Sequence, residues 1–133
     1  MELIQNIFNS IIKQDLGSLE KLLGQVDDIN ALADDDGMTP LMLACLLRDV
    51  KTVALLVSRG AGLDFQDKDG FSPLMWAAQD GYLEIVELLL ANGADPGLKS
   101  QQGWSALDLA RTSQHFAVET KILKAHHAKS KNP

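Results

Sequence analysis

Apolar residues in the first dozen positions, Leu3, Ile4, Ile7, Phe8, Ile11 and Ile12, recur at spacings of three and four, which predicts an amphipathic helix. Two later segments, VKTVALLVS at 50–58 and LEIVELLLA at 83–91, carry the same period. In the second, Leu83, Val86, Leu89 and Leu90 mark one stripe, and Ile85 and Leu88 broaden it. A stripe that wide predicts burial against neighbours on two sides. Each helix stops at a glycine, Gly60 or Gly93, placed as a C-terminal cap. Shorter Ala-rich helices are predicted at about 40–47 and 73–80. Each opens with a hydroxyl residue suited to capping (Thr39, Ser72) and a proline at the first helical position (Pro40, Pro73). Turns rich in Asp, Gly and Lys separate the copies.

The pattern repeats. Gly37, Gly70 and Gly103 are spaced by 33 residues, and the same register holds Thr39, Ser72 and Ser105, then Leu41, Leu74 and Leu107, then Ala44, Ala77 and Ala110. Gly60 and Gly93 keep the interval, each followed by Ala. Several residue classes recurring in phase at such a period predict a solenoid of stacked helical units.

The segment DKDGFSPLMWAAQDGYLEIVELLLANGAD, residues 67 to 95, resembles the ankyrin repeat, whose pattern is D-x-x-G-x-T-P-L-H-x-A-A, then G-x-x-x-I-V-x-x-L-L, then G-A-D. The resemblance extends over essentially the whole chain in about four units, 3–33, 34–66, 67–99 and 100–125, forming a repeat domain over 1–125 with a basic polar tail at 126–133. The first unit lacks T-P-L but keeps DLGSLEKLL at 15–23, and its DINA at 28–31 is one residue out of register, so that loop is expected to carry one extra residue. The last unit keeps GWSALDLA but has Ala106 for Pro. Terminal units depart from a repeat pattern because each is expected to present a polar outer face. The resemblance implies an all-α fold of antiparallel helix pairs, with hairpin-like loops at right angles to them. A concave face of loops and first helices follows. Where the family has His after T-P-L, this chain has Met42, Met75 and Asp108. The family's His–Thr tie is therefore not expected at the two methionines, and apolar packing is expected to carry more of the contact between units.

Composition narrows the setting. In 133 residues, 46% are hydrophobic and 23% charged, as in ordinary globular chains. Cys45 is the sole cysteine, so no intrachain disulfide forms and a reducing, cytoplasmic compartment is expected. The opening segment has no basic n-region, and no apolar run approaches membrane-spanning length. The net charge is −6, yet from Lys121 onward come four lysines and no acids. The first 120 residues are thus strongly acidic, which speaks against nucleic acid and for a protein partner with a basic surface.

Candidate chemistry is sparse. His115 falls where the family often has His or Tyr, and a structural role is expected. His126 and His127 are adjacent but lack companion ligands, and Asp34, Asp35, Asp36, Asp67 and Asp69 are loop carboxylates of the kind usual in solvated turns. No phosphate-binding loop, dinucleotide turn or nucleophile elbow is present. No enzyme activity, cofactor or metal is expected. A binding surface has more support. The residue after each loop glycine is Met38, Phe71 and Trp104, a column of large apolar side chains in positions that the resemblance places on the loop and concave surface. Leu46 and Leu47 stand where the next unit has Gln79 and Asp80. Asp35, Asp36, Lys68 and Asp69 would select charge. A contiguous apolar surface of this kind marks an interaction site. The expected function is an adaptor, inhibitor or regulatory subunit that binds a protein, as a monomer. A self-associating structural protein and a small metal-dependent enzyme are the alternatives.

Overall fold

The computed structural model describes residues 2–131, with side chains as far as Ala128. The described residues form eight α-helices in four antiparallel pairs: α1 (Glu2–Ile12) with α2 (Leu16–Leu23), α3 (Pro40–Leu46) with α4 (Val50–Ser58), α5 (Pro73–Gln79) with α6 (Leu83–Ala91), and α7 (Ala106–Thr112) with α8 (Phe116–Lys131). Helices α1, α3, α5 and α7 pack in one row, and α4, α6 and α8 in a second. This is the predicted all-α solenoid. Helix α8 has 16 residues where α4 and α6 have nine each. The segment predicted as a tail is, as far as residue 131, the end of that helix.

The first-row helices approach closely because their facing residues are small: Ala44, Ala77, Ala78 and Ala110 are fully buried. Leu41 and Leu74 fill the space beside them, and Val53, Leu56, Ile85, Val86, Leu89, Val118 and Ile122 supply the second row's share of the core. Local chemistry starts each first helix alike. The hydroxyls of Thr39, Ser72 and Ser105 accept from the backbone N–H of Met42, Met75 and Asp108 at 3.2, 3.3 and 3.1 Å. Each pair turns through one residue of left-handed backbone: Gln14, Arg48, Gly81 and Gln114, with φ of 58°, 58°, 74° and 62°. His115 packs over the Cα of Gly81, where a side chain would strike its ring. The structural role expected of it is thus visible.

The extra residue of the first unit can be located. Asn30 accepts from the Gly62 N–H at 2.7 Å, and Asp64 accepts in the same way from the Asp95 N–H at 2.9 Å. Asn30 and Asp64 are therefore equivalent, as are Asp34 and Asp67, whose carboxylates each cap a loop. The insertion falls between Asn30 and Asp34, at the end of a 3-10 turn (Ile29–Ala31) that the later loops lack.

The capping network departs from the expectation for the His positions. The Met42 sulfur lies 3.5 Å from the Thr39 N–H, a weak acceptor closing the cap. In the last pair Asp108 restores a strong tie, accepting from the Ser105 N–H at 2.9 Å and its hydroxyl at 3.0 Å. Polar links also join neighbouring units. The Lys68 N–H donates to Asp36 O at 2.8 Å, Gln101 N–H to Asp69 O at 3.0 Å, and the Gln66 amide to both Gly70 O and Lys99 O at 2.8 Å. The Arg48 guanidinium sits 5.3 Å from the Tyr82 ring centre. Contact between units is thus apolar between the helices and hydrogen-bonded between the loops.

Asp108 yields a pH prediction. The Ser105 N–H, followed by its hydroxyl, holds the Asp108 carboxyl below its ordinary value against partial desolvation. A carboxyl depressed in the folded state adds stability above its unfolded pKa, near 3.9, and loses it as pH falls through the folded value. Asp108→Asn is expected to lower the melting temperature at pH 7, with the gap to wild type closing below about pH 4. A gap that is constant from pH 7 to 3, followed by thermal melts, would show that the charge does not matter.

Candidate protein-binding surface

Each loop of the column is a small hairpin closed twice on the residue after its glycine. Asp34 N–H donates to Met38 O at 3.0 Å while the Asp34 carboxylate accepts from Met38 N–H at 2.9 Å. Asp67 does the same for Phe71, at 2.9 Å both ways. In the last loop Ser100 takes the part, its N–H donating to Trp104 O at 2.8 Å and its hydroxyl accepting from Trp104 N–H at 3.1 Å. Met38, Phe71 and Trp104 are therefore held at N–H and carbonyl alike, and their side chains project from fixed backbone.

Their exposure is not uniform. Trp104 is 41% exposed, whereas Met38 and Phe71 are half-buried. Phe71 is covered because its ring lies 5.0 Å from that of Trp76, tilted by 50°, and the Trp76 indole N–H donates to Asp67 at 3.2 Å. Phe71, Trp76 and Asp67 form one cluster, so the expected apolar column consists of one exposed residue, Trp104, beside a supported aromatic pair and a half-buried Met38. Leu46 is half-buried and Leu47 exposed; Gln79 is half-buried and Asp80 exposed.

Two hollows flank Gln79. One, of about 410 Å³, is lined by Asp69, Phe71, Trp76, Gln79, Gln101 and Gln102. The other, of about 280 Å³, is lined by Gln79, Trp104, Leu109, Thr112 and Ser113. The structure thus brings Phe71, Trp104, Gln79 and Asp69 together on the third and fourth units. Leu109, the register equivalent of Leu43 and Trp76, joins them without having been expected there. Ile12 was missed as well: it takes the register position of Leu46 and Gln79, one unit earlier, and is 59% exposed. Its helical stripe reads as core, and only the absence of a covering neighbour distinguishes it.

The charged residues divide. The Lys68 ammonium is 3.1 Å from Asp36, and this hydrogen bond, with the attraction behind it, raises the Lys68 pKa. Asp36 and Lys68 therefore balance each other, and Asp35, Asp69 and Asp80, all exposed, set the sign of the loop surface. Burial pushes the Cys45 thiol well up, which suppresses the thiolate. Among the described residues no three metal-ligating side chains gather into a candidate site, and no helix is long and apolar enough to cross a membrane.

A four-pair helical stack with hydrogen-bonded hairpins between its units defines a repeat protein of the helical solenoid class. The profile of one family, described as ankyrin repeats (3 copies), matches residues 8–100, and the chain belongs to that family. Helices α7 and α8, beyond the match, continue the same stack. Ankyrin repeats generally mediate protein–protein interaction and are typically non-enzymatic. Comparison with curated proteins gives no significant match.

Proposed function

We propose that this chain is a protein-binding module that receives a protein partner on its loop and first-helix face, as an adaptor, inhibitor or regulatory subunit. The observation that carries this reading is Trp104: a large exposed aromatic residue on hydrogen-bonded backbone, at the edge of a hollow with an apolar wall. Aromatic anchors of this kind dominate binding energy, and a surface ordered beforehand loses little entropy on association. Phe71 and Trp76 give the neighbouring hollow its aromatic wall, while Met38, Leu46, Leu47 and Ile12 extend the apolar surface toward the first unit. Asp35, Asp69 and Asp80 favour a partner with a basic surface. A cytoplasmic setting accords with the single buried thiol.

The test is a titration of Trp104→Ala and wild type against a partner recovered with the wild-type chain. Affinity is expected to fall tenfold or more, about 1.4 kcal/mol, with the melting temperature unchanged. Equal affinity for both proteins would refute this surface. Phe71→Ala is expected to weaken binding and also to lower the melting temperature, because the Trp76 cluster loses its cover.

A further inference from the structure

The hairpins at 34–38, 67–71 and 100–104 follow one register, so each side chain can be compared with its copy one unit on. Asp36 and Lys68 of one junction become Asp69 and Gln101 of the next. The backbone link is the same in both: Lys68 N–H donates to Asp36 O at 2.8 Å, and Gln101 N–H to Asp69 O at 3.0 Å. The side chains differ. Lys68 places its ammonium 3.1 Å from the Asp36 carboxylate. Gln101 has no charge to offer, and among the described residues the Asp69 carboxylate makes no hydrogen bond or ion pair. Lys68 is attracted to Asp69 as well, but less than to Asp36, which it touches. The carboxylate of the second unit thus has an internal cation, and that of the third does not.

A second change accompanies the first. Met38 and Leu43 become Phe71 and Trp76, whose rings lie 5.0 Å apart. They wall the hollow of about 410 Å³ that Asp69 borders. The Trp76 indole N–H donates to Asp67 at 3.2 Å, which fixes the ring and commits its only donor. Gln79, Gln101 and Gln102 complete the lining, and their side-chain amides are not hydrogen-bonded to any described residue. No described cationic side chain lines the hollow. Aromatic faces, a carboxylate and amide oxygens together attract positive charge. An anion would meet Asp69, and a purely apolar side chain would desolvate that carboxylate without pairing it.

We infer that this hollow receives an arginine side chain of the protein partner, its guanidinium stacked on the Phe71–Trp76 wall and hydrogen-bonded to Asp69. The partner's arginine takes the part that Lys68 plays toward Asp36. Arginine fits better than lysine for two reasons. Its flat, weakly hydrated guanidinium packs on aromatic rings, whereas an ammonium holds its water. Its five donors exceed what one carboxylate accepts in a fork, and the glutamine amide oxygens take the rest. The neighbouring hollow at Trp104 has no charged member, so the two admit different side chains, an arginine beside an uncharged one. This inference rests on the proposal that the face of the third and fourth units binds protein, and adds which side chain enters it.

The first probe is Nα-acetyl-arginine amide, titrated into the full chain and followed by amide and indole NMR. It is expected to move the Trp76 indole signal, assigned with Trp104→Phe, and to saturate with a Kd of ~1–10 mM. Nα-acetyl-citrulline amide, the uncharged isostere, is expected to bind at least tenfold more weakly, and Nα-acetyl-lysine amide to fall between them. Gln101→Lys is the decisive variant, because it rebuilds at Asp69 the internal pair of Asp36. Its melting temperature is expected to hold or rise while arginine binding falls at least tenfold, and Asp69→Asn is expected to give the same loss of binding. A still Trp76 signal, equal binding of the citrulline or lysine probe, or full binding by either variant overturns the inference. With the recovered partner, Gln101→Lys is also expected to weaken binding at least tenfold. A partner that Trp104→Ala loses but Gln101→Lys binds at full strength overturns the arginine pocket and leaves the binding face standing.

Discussion

Gly70→Ala is expected to destabilise the protein by about 3 kcal/mol or more, while Gly103→Ala costs only about 1 kcal/mol. Both glycines hold left-handed backbone, with φ of 81° and 87°, so both substitutions carry the same conformational penalty. The surroundings differ. A Cβ on Gly70 would stand 2.6 Å from Gln101 N and 2.9 Å from two Ser100 backbone atoms, whereas at Gly103 nothing lies within 4 Å. Backbone cannot turn aside as a side-chain tip can. The second and third hairpins, 67–71 and 100–104, must therefore separate, weakening the Gln101–Asp69 link and the Gln66 bridge to Lys99. Urea unfolding of the two variants measures the difference. Equal midpoints would mean that the hairpins move apart without cost.

Leu89→Ala is the second large effect, expected at about 2–5 kcal/mol. Leu89 is fully buried in α6, between α4 and α8. Truncation removes apolar area and leaves a cavity that the flanking helices cannot close without losing their own packing. In a solenoid each unit is held by its neighbours, so a defect in the third pair also weakens the coupling between the halves. Domains of this size have a total stability of about 5–15 kcal/mol, so the loss is a large part of the whole. Leu123→Ala, one unit later on the same helix row, is expected to change stability by less than about 0.5 kcal/mol. A urea series reads both, and comparable losses would contradict the exposed placement of Leu123.

Much of the architecture was legible because it depends on local chemistry repeated in phase. Thr39, Ser72 and Ser105 announced the helix starts, and the apolar stripe of 83–91 announced a helix buried on two sides. The displaced DINA announced an extra residue, although only the equivalence of Asn30 with Asp64 showed where it lies. The candidate surface was less legible. Met38, Phe71 and Trp104 share one register position, but Phe71 has Trp76 beside it, whereas at Trp104's equivalent position that neighbour is Leu109. Lys68 and Asp36 read as two charges for a partner, yet they face each other across adjacent loops.

By itself the sequence determined the period, the all-α class, the helix starts and the family, since each follows from residues close together in the chain. Tertiary structure decided which copies of one position are covered. Leu90 and Leu123 are the same residue in the same register, as are Gly70 and Gly103, and no local signal separates them. Burial and steric contact depend on whether another unit lies alongside, a property of the stack rather than of any residue within it.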